Sequence, residues 1–254
     1  MFTNRYIFIY SSVMVIIVAA VLSSASSLLK PFQEKNIRTE KMMDILKSVQ
    51  VSGEKSEAEK LYDQYVIREE AINSKGELIS VYEGGKLVQG DIRPFEINLK
   101  EEQHKLDELK AGKSDVEPAF PLYVCEKDGN KYYVIPMLGK GLWGPIWGNI
   151  ALEADFNTIF GVTFDHKGET PGLGAEIAYK PFQDQFIGKK LFDDNGNFVS
   201  IAVVKGGVKT RPPDKQIHGV DAISGGTITS NGVDAMIKDC LENYIEYIKN
   251  HNNS

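Results

Sequence analysis

The chain begins with a long apolar segment, and charged positions return only after residue 29. No charged side chain occurs from Tyr6 to Leu29, and the centre of this segment, Val13–Leu22, is entirely apolar. A helix needs about 20 such residues to cross a bilayer, so the pattern predicts a transmembrane anchor. A cleaved signal peptide is the alternative, because Ser23–Ala25 offers small residues suited to cleavage. The uncharged run continues beyond them to Leu29, which favours a retained anchor.

Amphipathic and alternating patterns follow the anchor. Helical spacing of apolar or charged positions predicts helices or connectors at Met42–Val51, Ser56–Ile67, residues 100–110 and Val233–Ile248. Segments bounded by Gly, Asn and Asp turns predict strands at residues 77–82, 86–88, 122–125, 131–136, 148–152, 158–164 and 198–205. We therefore predict an α+β fold, in which an N-terminal transmembrane helix precedes a domain of antiparallel sheet packed with helices.

The same patterns divide the chain into three predicted parts. The transmembrane anchor occupies residues 1–30, a helical or mixed membrane-proximal region occupies 31–120, and a domain rich in hairpin signals occupies 121–254. The composition, with 42% hydrophobic and 25% charged residues, is ordinary for a globular protein. The formal net charge of −6 argues against a nucleic-acid-binding surface, which needs a basic patch.

Basic residues are unevenly distributed around the anchor. Arg5 stands alone before it, whereas Lys or Arg follows it at positions 30, 35, 38, 41 and 47. By the positive-inside rule alone, this asymmetry would place the bulk of the chain in the cytoplasm.

The chain contains two cysteines, Cys125 and Cys240, and no Cys-x-x-Cys motif. Neither a zinc site nor an iron–sulfur site is therefore predicted. Cys240 lies on the apolar face of the predicted C-terminal helix, which favours a buried thiol, although a disulfide stays open as the alternative.

Three glycine-rich segments could carry chemistry, and the first is Gly139–Gly148. It has the Gly-x-Gly-x-x-Gly spacing of a dinucleotide-binding turn, but such a turn must open a crossover helix. Gly148 and a turn at Asp155 interrupt any helix here, so we reject that interpretation. A loop that presents Trp143 and Trp147 to a flat ring is one remaining interpretation, and two core tryptophans beside a tight turn are the other.

The second segment, His166–Gly174, has a Pro- and Gly-rich sequence typical of a loop. Glycines allow main-chain N–H groups to approach a ligand closely. His166 and Glu169 could form an acid–base pair or a metal pair, but the sequence offers no third ligand and we predict no metal. A purely structural loop is the alternative.

The third segment, Asp221–Gly232, precedes the predicted C-terminal helix. Ser230 or Asn231 is the predicted helix cap. Hydroxyls and glycines at a helix N-terminus favour an anion, because unpaired N–H groups and the helix dipole both attract negative charge. A plain capping turn is the alternative.

This third segment carries a family resemblance. The run from Asp221 to Thr227, Asp-Ala-Ile-Ser-Gly-Gly-Thr, resembles the flavinylation motif of FMN-binding domains, in which a flavin transferase takes FMN from FAD and links its phosphate to the last hydroxyl. Gly226 stands where that family usually has alanine. The two other loops match the same family in the same order, and the single N-terminal span makes the chain similar to the C subunits of sodium-translocating NADH:quinone reductases. The G subunits of Rnf complexes are the close alternative, and the extra stretch around residues 95–120 favours the former.

The resemblance implies a covalent cofactor and its binding residues. FMN is expected as a phosphodiester on Thr227, which serves as an attachment point and not as a catalytic nucleophile. Around the phosphate the resemblance implies Asp221, Ser224, Gly225, Gly226 and Thr229, with hydroxyl donors from Ser224 and Thr229 and with Lys205 as a counter-charge. Against the ring we expect Trp143, Pro171 and Leu173, and main-chain contacts from Glu169, Thr170, Gly172, Leu173 and Gly174.

The resemblance also implies partners and a location. Electrons are expected from an iron–sulfur centre in neighbouring membrane subunits and are passed to a second subunit with covalent FMN. We predict no NADH, quinone or sodium site in this chain. Flavin transfer of this kind occurs outside the cytoplasm, which implies a single-pass protein of the bacterial inner membrane with a periplasmic domain. Large domains can be translocated regardless of flanking charge, so the lysine asymmetry is set aside.

Two other classes of function stay as alternatives. One is an anchored scaffold or binding domain that is never flavinylated. The other is a hydrolase that uses Ser224 or His166, which the absence of a Gly-x-Ser-x-Gly motif disfavours.

Overall fold

A computed structural model describes residues 3–252 of the chain, which divides into two compact units between Met42 and Met43. Helix α1 extends over Asn4–Ser48, and Pro31 does not interrupt it. Among residues 3–252, α1 is the helix that is long and apolar enough to cross a membrane, with a mean hydropathy of 2.4 over 18 residues. This agrees with the predicted anchor. The short helix predicted at Met42–Val51 is therefore the end of α1 and not a separate element.

The last turns of α1 belong to the second unit and pack on its sheet. Ile45 and Leu46 of α1, and Val49 directly after it, are fully buried there, which accounts for the amphipathic pattern. The Nζ atom of Lys127 donates to the main-chain oxygens of Val49 and Gln50, at 3.3 and 3.0 Å. A lysine at this position satisfies carbonyl groups left unpaired at a helix C-terminus.

The second unit is built on one antiparallel sheet of seven strands, in the order β3-β2-β1-β4-β5-β6-β7. The strands are β1 Val66–Ile72, β2 Leu78–Glu83, β3 Lys86–Gln89, β4 Phe120–Lys127, β5 Asn130–Lys140, β6 Pro145–Leu152 and β7 Ile159–His166. The helices are α2 Ala58–Tyr65, α3 Leu99–Lys110, α4 Lys180–Gln183, α5 Thr227–Glu242 and α6 Ile245–Asn252, and a parallel pair joins β8 Ala202–Val204 to β9 Gly219–Asp221. The predicted α+β class and the hairpins β2–β3, β4–β5 and β6–β7 are confirmed.

Three element predictions are corrected. Strand β1 is absent from the predicted elements, because its sequence Val-Ile-Arg-Glu-Glu-Ala-Ile places two carboxylates in the middle of a buried strand. The strand predicted at residues 198–205 shortens to β8. The C-terminal helix predicted at Val233–Ile248 begins at Thr227, ends at Glu242 and is followed by α6.

The three-part division of the chain stays a prediction. Its boundary at residue 120 falls between β3 and β4, so strands from both sides belong to the same sheet.

Helix α5 lies against strand β5 with very close backbone approach at two glycines. A Cβ atom at Gly232 would lie 2.3 Å from the main-chain oxygen of Lys140, and one at Gly139 would lie 2.6 Å from the Cβ of Met236. The buried residues Val233, Ile237 and Leu241 of α5 complete this part of the core. The contact brings the N-terminus of α5 to the end of β5, where the first glycine-rich loop begins.

Both cysteines are free thiols. Cys125 is fully buried in β4, and burial raises the pKa of its thiol to about 12. The Cys240 thiol donates to the main-chain oxygen of Leu138 at 3.5 Å, and burial raises its pKa to about 11. The helix position predicted for Cys240 is confirmed, and neither residue forms a disulfide.

Candidate functional site

The three glycine-rich loops meet at the N-terminus of α5. A Cβ atom at Gly225 would lie 2.6 Å from Cδ2 of Leu173, and one at Gly226 would lie 3.3 Å from the main-chain nitrogen of Gly174. Gly225 has a φ of +75°, a conformation that L side chains rarely adopt. The second and third loops are therefore in direct contact through glycines, as a shared site requires.

Helix α5 begins without a side-chain cap. Gly226 is the N-cap, with φ −103° and ψ 33°, and Thr227 is the first helical residue. The prediction of Ser230 or Asn231 as cap is wrong, because the helix starts earlier. Ser230 lies in the first turn, where its N–H donates to the Gly226 oxygen at 2.9 Å and its Oγ accepts from the N–H of Ile223 at 3.1 Å.

Because no side chain caps the start of α5, its first main-chain N–H groups can bind an anion. Within residues 3–252, the main-chain N–H groups of Thr227, Ile228 and Thr229 have no hydrogen-bond acceptor. They point along the axis of a 16-residue helix, whose dipole adds positive potential at this end. A phosphate group fits such donors.

Thr227 places a hydroxyl at the same point. Its side chain is half-buried, and no residue in the described part of the chain forms a hydrogen bond with its Oγ. Ser224 is exposed two residues before the cap, and its hydroxyl is likewise unengaged within residues 3–252. The residues present therefore fit a phosphate attached at position 227.

A buried carboxylate joins all three loops. Glu169 is 5% exposed, and its Oε2 accepts the hydroxyl of Thr229 at 2.6 Å. Its Oε1 accepts the main-chain N–H of Trp143 at 2.9 Å. Cβ atoms at Gly141 and Gly174 would lie 2.5 and 2.3 Å from these oxygens, so a side chain at either position would require the Glu169 carboxylate to move. Glu169 thus ties the first loop and the start of α5 to the second loop.

Thr229 and Glu169 therefore differ from their predicted roles. Thr229 is 1% exposed and its single hydroxyl proton is used in the bond to Glu169, so only its main-chain N–H remains as a candidate phosphate donor. The main-chain N–H of Glu169 donates to Nδ1 of His166 at 3.1 Å and is likewise engaged. His166 contacts Glu169 through this backbone bond, which places the proton of a neutral ring on Nε2. An acid–base pair of the two side chains stays a hypothesis.

Several main-chain N–H groups of the second loop already have hydrogen-bond acceptors in this chain. Gly172, with φ +75°, donates to Oε1 of Glu176 at 3.0 Å, and Leu173 donates to the Thr170 oxygen at 3.1 Å. Two of the predicted main-chain contacts are therefore already engaged within the loop. The N–H groups of Thr170 and Gly174 have no acceptor within residues 3–252 and remain candidates.

The residues predicted to contact the ring form exposed apolar surface at the site. Trp143 is 69% exposed and Leu173 is 41% exposed, and Pro171 is exposed as well. Trp147, by contrast, is half-buried in β6 opposite Asp165. The first loop is a hairpin turn closed by a 2.8 Å bond from the Gly141 N–H to the Gly144 oxygen, which agrees with the rejection of a dinucleotide-binding turn.

Asp221, at the end of β9, is hydrogen-bonded to two other segments of the chain. Its Oδ1 accepts the N–H of Val208 at 2.6 Å, and its own N–H donates to Oε1 of Gln185 at 2.8 Å. It pairs with Val204 across the β8–β9 pair, and Lys205 is exposed at the next position. Sequence reasoning missed Gln185, because a lone glutamine 36 residues before its partner gives no signal.

The chain is similar to proteins of known family. Residues 141–242 match the family model described as FMN-binding domain, and this range includes Trp143, Glu169 and Thr227. The chain is 32% identical over 230 residues to the C subunit of the Na(+)-translocating NADH-quinone reductase of Haemophilus ducreyi, covering 88% of this chain and 84% of that protein.

Two solved structures are similar. The C subunit of the Na(+)-translocating NADH-quinone reductase from Parabacteroides distasonis gives a TM-score of 0.71 at 37% identity, covering 87% of this chain and 96% of that chain. NqrC from Shewanella oneidensis gives 0.64 at 28% identity, covering 85% and 98%.

The antiparallel sheet and the three loops at the start of α5 define an FMN-binding α+β domain. The chain is also similar to individual relatives over most of its length, and this identifies a family within that class. The chain belongs to the NqrC family, the C subunits of Na(+)-translocating NADH-quinone reductases, and the resemblance predicted from its loops is confirmed.

Proposed function

We propose that this chain is an electron-transfer subunit of a sodium-translocating NADH:quinone reductase and that it carries FMN esterified to Thr227. The family and the FMN-binding domain support the first part. One observation carries the second part: an unengaged hydroxyl stands at the first position of α5, beside three N–H groups that have no acceptor within residues 3–252.

The attachment is a phosphoryl transfer that balances without a redox partner. The Thr227 Oγ forms a bond to the FMN phosphorus of FAD, the bond between that phosphorus and the bridging pyrophosphate oxygen breaks, AMP leaves, and the hydroxyl proton is released. A flavin transferase catalyses this step during maturation. The product carries one negative charge, which the N–H groups of Thr227, Ile228 and Thr229 stabilise.

The chain's own residues hold and orient the cofactor, which supplies reversible electron transfer when bound. The turn at Ser224–Gly226 and the start of α5 hold the phosphate end, with Lys205 as a counter-charge. Trp143, Pro171 and Leu173 offer apolar surface to the flavin ring. Because these side chains are exposed, a ring that lies against them stays accessible to other subunits of the complex. A covalent link replaces a dissociation equilibrium with a high effective concentration, which suits a compartment without free flavin.

The partners and the location are part of the same proposal. Helix α1 anchors the chain in the bacterial inner membrane by one span, and the second unit lies on the periplasmic side. Iron–sulfur-bearing and second FMN-bearing membrane subunits of the complex exchange electrons with this chain. The apolar, exposed side chains of α1 support the single span, and the family supports membership of a membrane complex.

The test uses full-length protein coexpressed with a flavin transferase. After denaturation, wild type is expected to fluoresce in the gel and to gain the mass of FMN minus one water, whereas Thr227→Ala does neither. Ser114→Ala, which removes a hydroxyl between α3 and β4, is the matched control and keeps the adduct. An adduct that persists in Thr227→Ala, or a wild type without any, contradicts the proposal.

A further inference from the structure

We propose that Glu169 is a positioning residue, which holds the first turn of α5 so that its N–H groups stay available for the FMN phosphate. The inference rests on the proposed function, since it concerns the same attachment site. It assigns a role to the side chain of Glu169 that differs from contact with the cofactor, because both of its oxygens bind donors of this chain.

The first turn of α5 needs support from outside the helix. A Ser, Thr, Asp or Asn at the N-cap stabilises a helix by accepting a hydrogen bond from its second or third N–H. Gly226 occupies the N-cap here and offers no side chain. A side-chain cap would also occupy the N–H donors that an anion requires.

Glu169 stabilises this turn without using those donors. It accepts the side-chain hydroxyl of Thr229, the third residue of the helix, and leaves the N–H of Thr229 free within the described residues. The 2.6 Å bond to a carboxylate is of the short, charge-assisted type, which is about twice as strong as a neutral one. The side chain of Thr229 thus holds the turn in place, and the main-chain N–H groups of the turn remain available as donors.

The same carboxylate couples the two ends of the site. Its second oxygen accepts the N–H of Trp143, which belongs to the loop proposed to face the ring. Gly141 and Gly174 lie so close to the carboxylate that a Cβ atom at either position would displace it. Displacement of Glu169 would therefore loosen the first loop and the start of α5 together.

Thr229→Val tests the role with minimal change of shape. It removes the hydroxyl and leaves a buried carboxylate oxygen without its donor. We expect flavinylation of full-length protein, with FAD as donor, to be about ten-fold less efficient, given the usual worth of a hydrogen bond to a charged group. Thr229→Ser should recover most of this loss, because serine can donate the same bond.

Tyr247→Phe is the matched control for general destabilisation. It removes another buried hydroxyl donor to a carboxylate, from Tyr247 to Oε2 of Glu70 at 2.6 Å, outside the three loops. We expect Tyr247→Phe to lower the melting temperature and to leave the flavinylation efficiency unchanged.

Hydrogen exchange of the flavin-free protein gives a readout that does not need the cofactor. The amide of Ser230 donates to Gly226 across the first turn, so its protection reports the order of that turn. Exchange at Ser230 should accelerate in Thr229→Val and in Glu169→Gln and stay unchanged in Tyr247→Phe.

Unchanged exchange and flavinylation in Thr229→Val, or equal losses in Tyr247→Phe, would overturn the role of Glu169. A wild type that takes up no flavin at Thr227 would instead overturn the proposed function, while the exchange measurement still decides whether Glu169 orders the turn.

Discussion

Gly232 of α5 lies so close to Lys140 of β5 that a Cβ atom on the glycine would be 2.3 Å from the main-chain oxygen of the lysine. The approach sets how near the helix axis lies to the sheet, and the start of the helix carries the proposed attachment site. An atom of the backbone cannot swing aside as the end of a flexible side chain can. The contact between these two residues therefore constrains the site although Gly232 follows the first turn of the helix.

Gly232→Ala should destabilise the protein although alanine is the better helix former. Helix propensity alone would make the change stabilising by about 1 kcal/mol. Overpacking against the Lys140 oxygen typically costs about 1–3 kcal/mol and should also move α5. We expect a net loss of up to about 2 kcal/mol on these figures, measured by denaturant unfolding. Gly168→Ala, where a Cβ would meet nothing within 4 Å, is the control, and a raised midpoint for Gly232→Ala would contradict the packing argument.

Arg93→Ala should cost more than the loss of any surface ion pair. Its guanidinium binds Glu69, which is 2% exposed and also accepts from Tyr62 at 3.1 Å. Removing one partner leaves a buried charge uncompensated, which costs about 3–5 kcal/mol. Lys249→Ala removes an exposed pair with Glu246 and should cost no more than about 1 kcal/mol. Equal losses in urea unfolding would mean that Glu69 finds another partner.

The same buried carboxylates explain which parts of the fold are visible in the sequence. Hairpins such as β4–β5 combine runs of apolar residues with an Asp-Gly turn, and both signals are local. The pattern does not reveal strand β1, because Glu69 and Glu70 look solvent-exposed until their partners are known. Arg93 lies 24 residues away from Glu69, and Tyr247 lies 177 residues away from Glu70.

The site shows the same division between local and distant signals. Its three loops are visible from their glycines and motif spacing, and the structure brings all three together. The pattern predicts the start of α5 at Val233 and not at Thr227, because the apolar stripe begins only there while the first turn is polar. The role of the Glu169 carboxylate is hidden because its partner Thr229 is 60 residues away.

The two glycines of the motif should respond differently to alanine. Gly225 has φ +75° and would place a Cβ 2.6 Å from Leu173, whereas Gly226 has φ −103° and would meet its nearest atom, Cγ2 of Ile223, at 3.0 Å. A left-handed conformation costs a non-glycine residue about 1–2 kcal/mol, which corresponds to about ten-fold in rate. We expect Gly225→Ala to lower flavinylation efficiency by about that factor and Gly226→Ala by no more than about two-fold. A larger loss in Gly226→Ala would show that the Ile223 contact cannot relax.

The two cysteines should be unreactive in the native protein at about pH 8, where a free thiol begins to ionise. Burial raises the pKa of Cys125 to about 12 and that of Cys240 to about 11, so almost no thiolate is present. Native protein should resist iodoacetamide over a time in which denatured protein takes up two labels, and Cys240 should react first because its residue is partly exposed.

The two buried thiols also make stability depend on pH, because the folded state holds their protons more tightly than the unfolded state. Their contribution to stability is therefore complete below the unfolded pKa, near 9, and is lost as pH rises through about 11 to 12. In Cys240→Ala, the melting temperature should fall less steeply than in wild type as pH rises towards about 11. In the labelling experiment, rapid reaction of Cys125 in the native protein would contradict its burial.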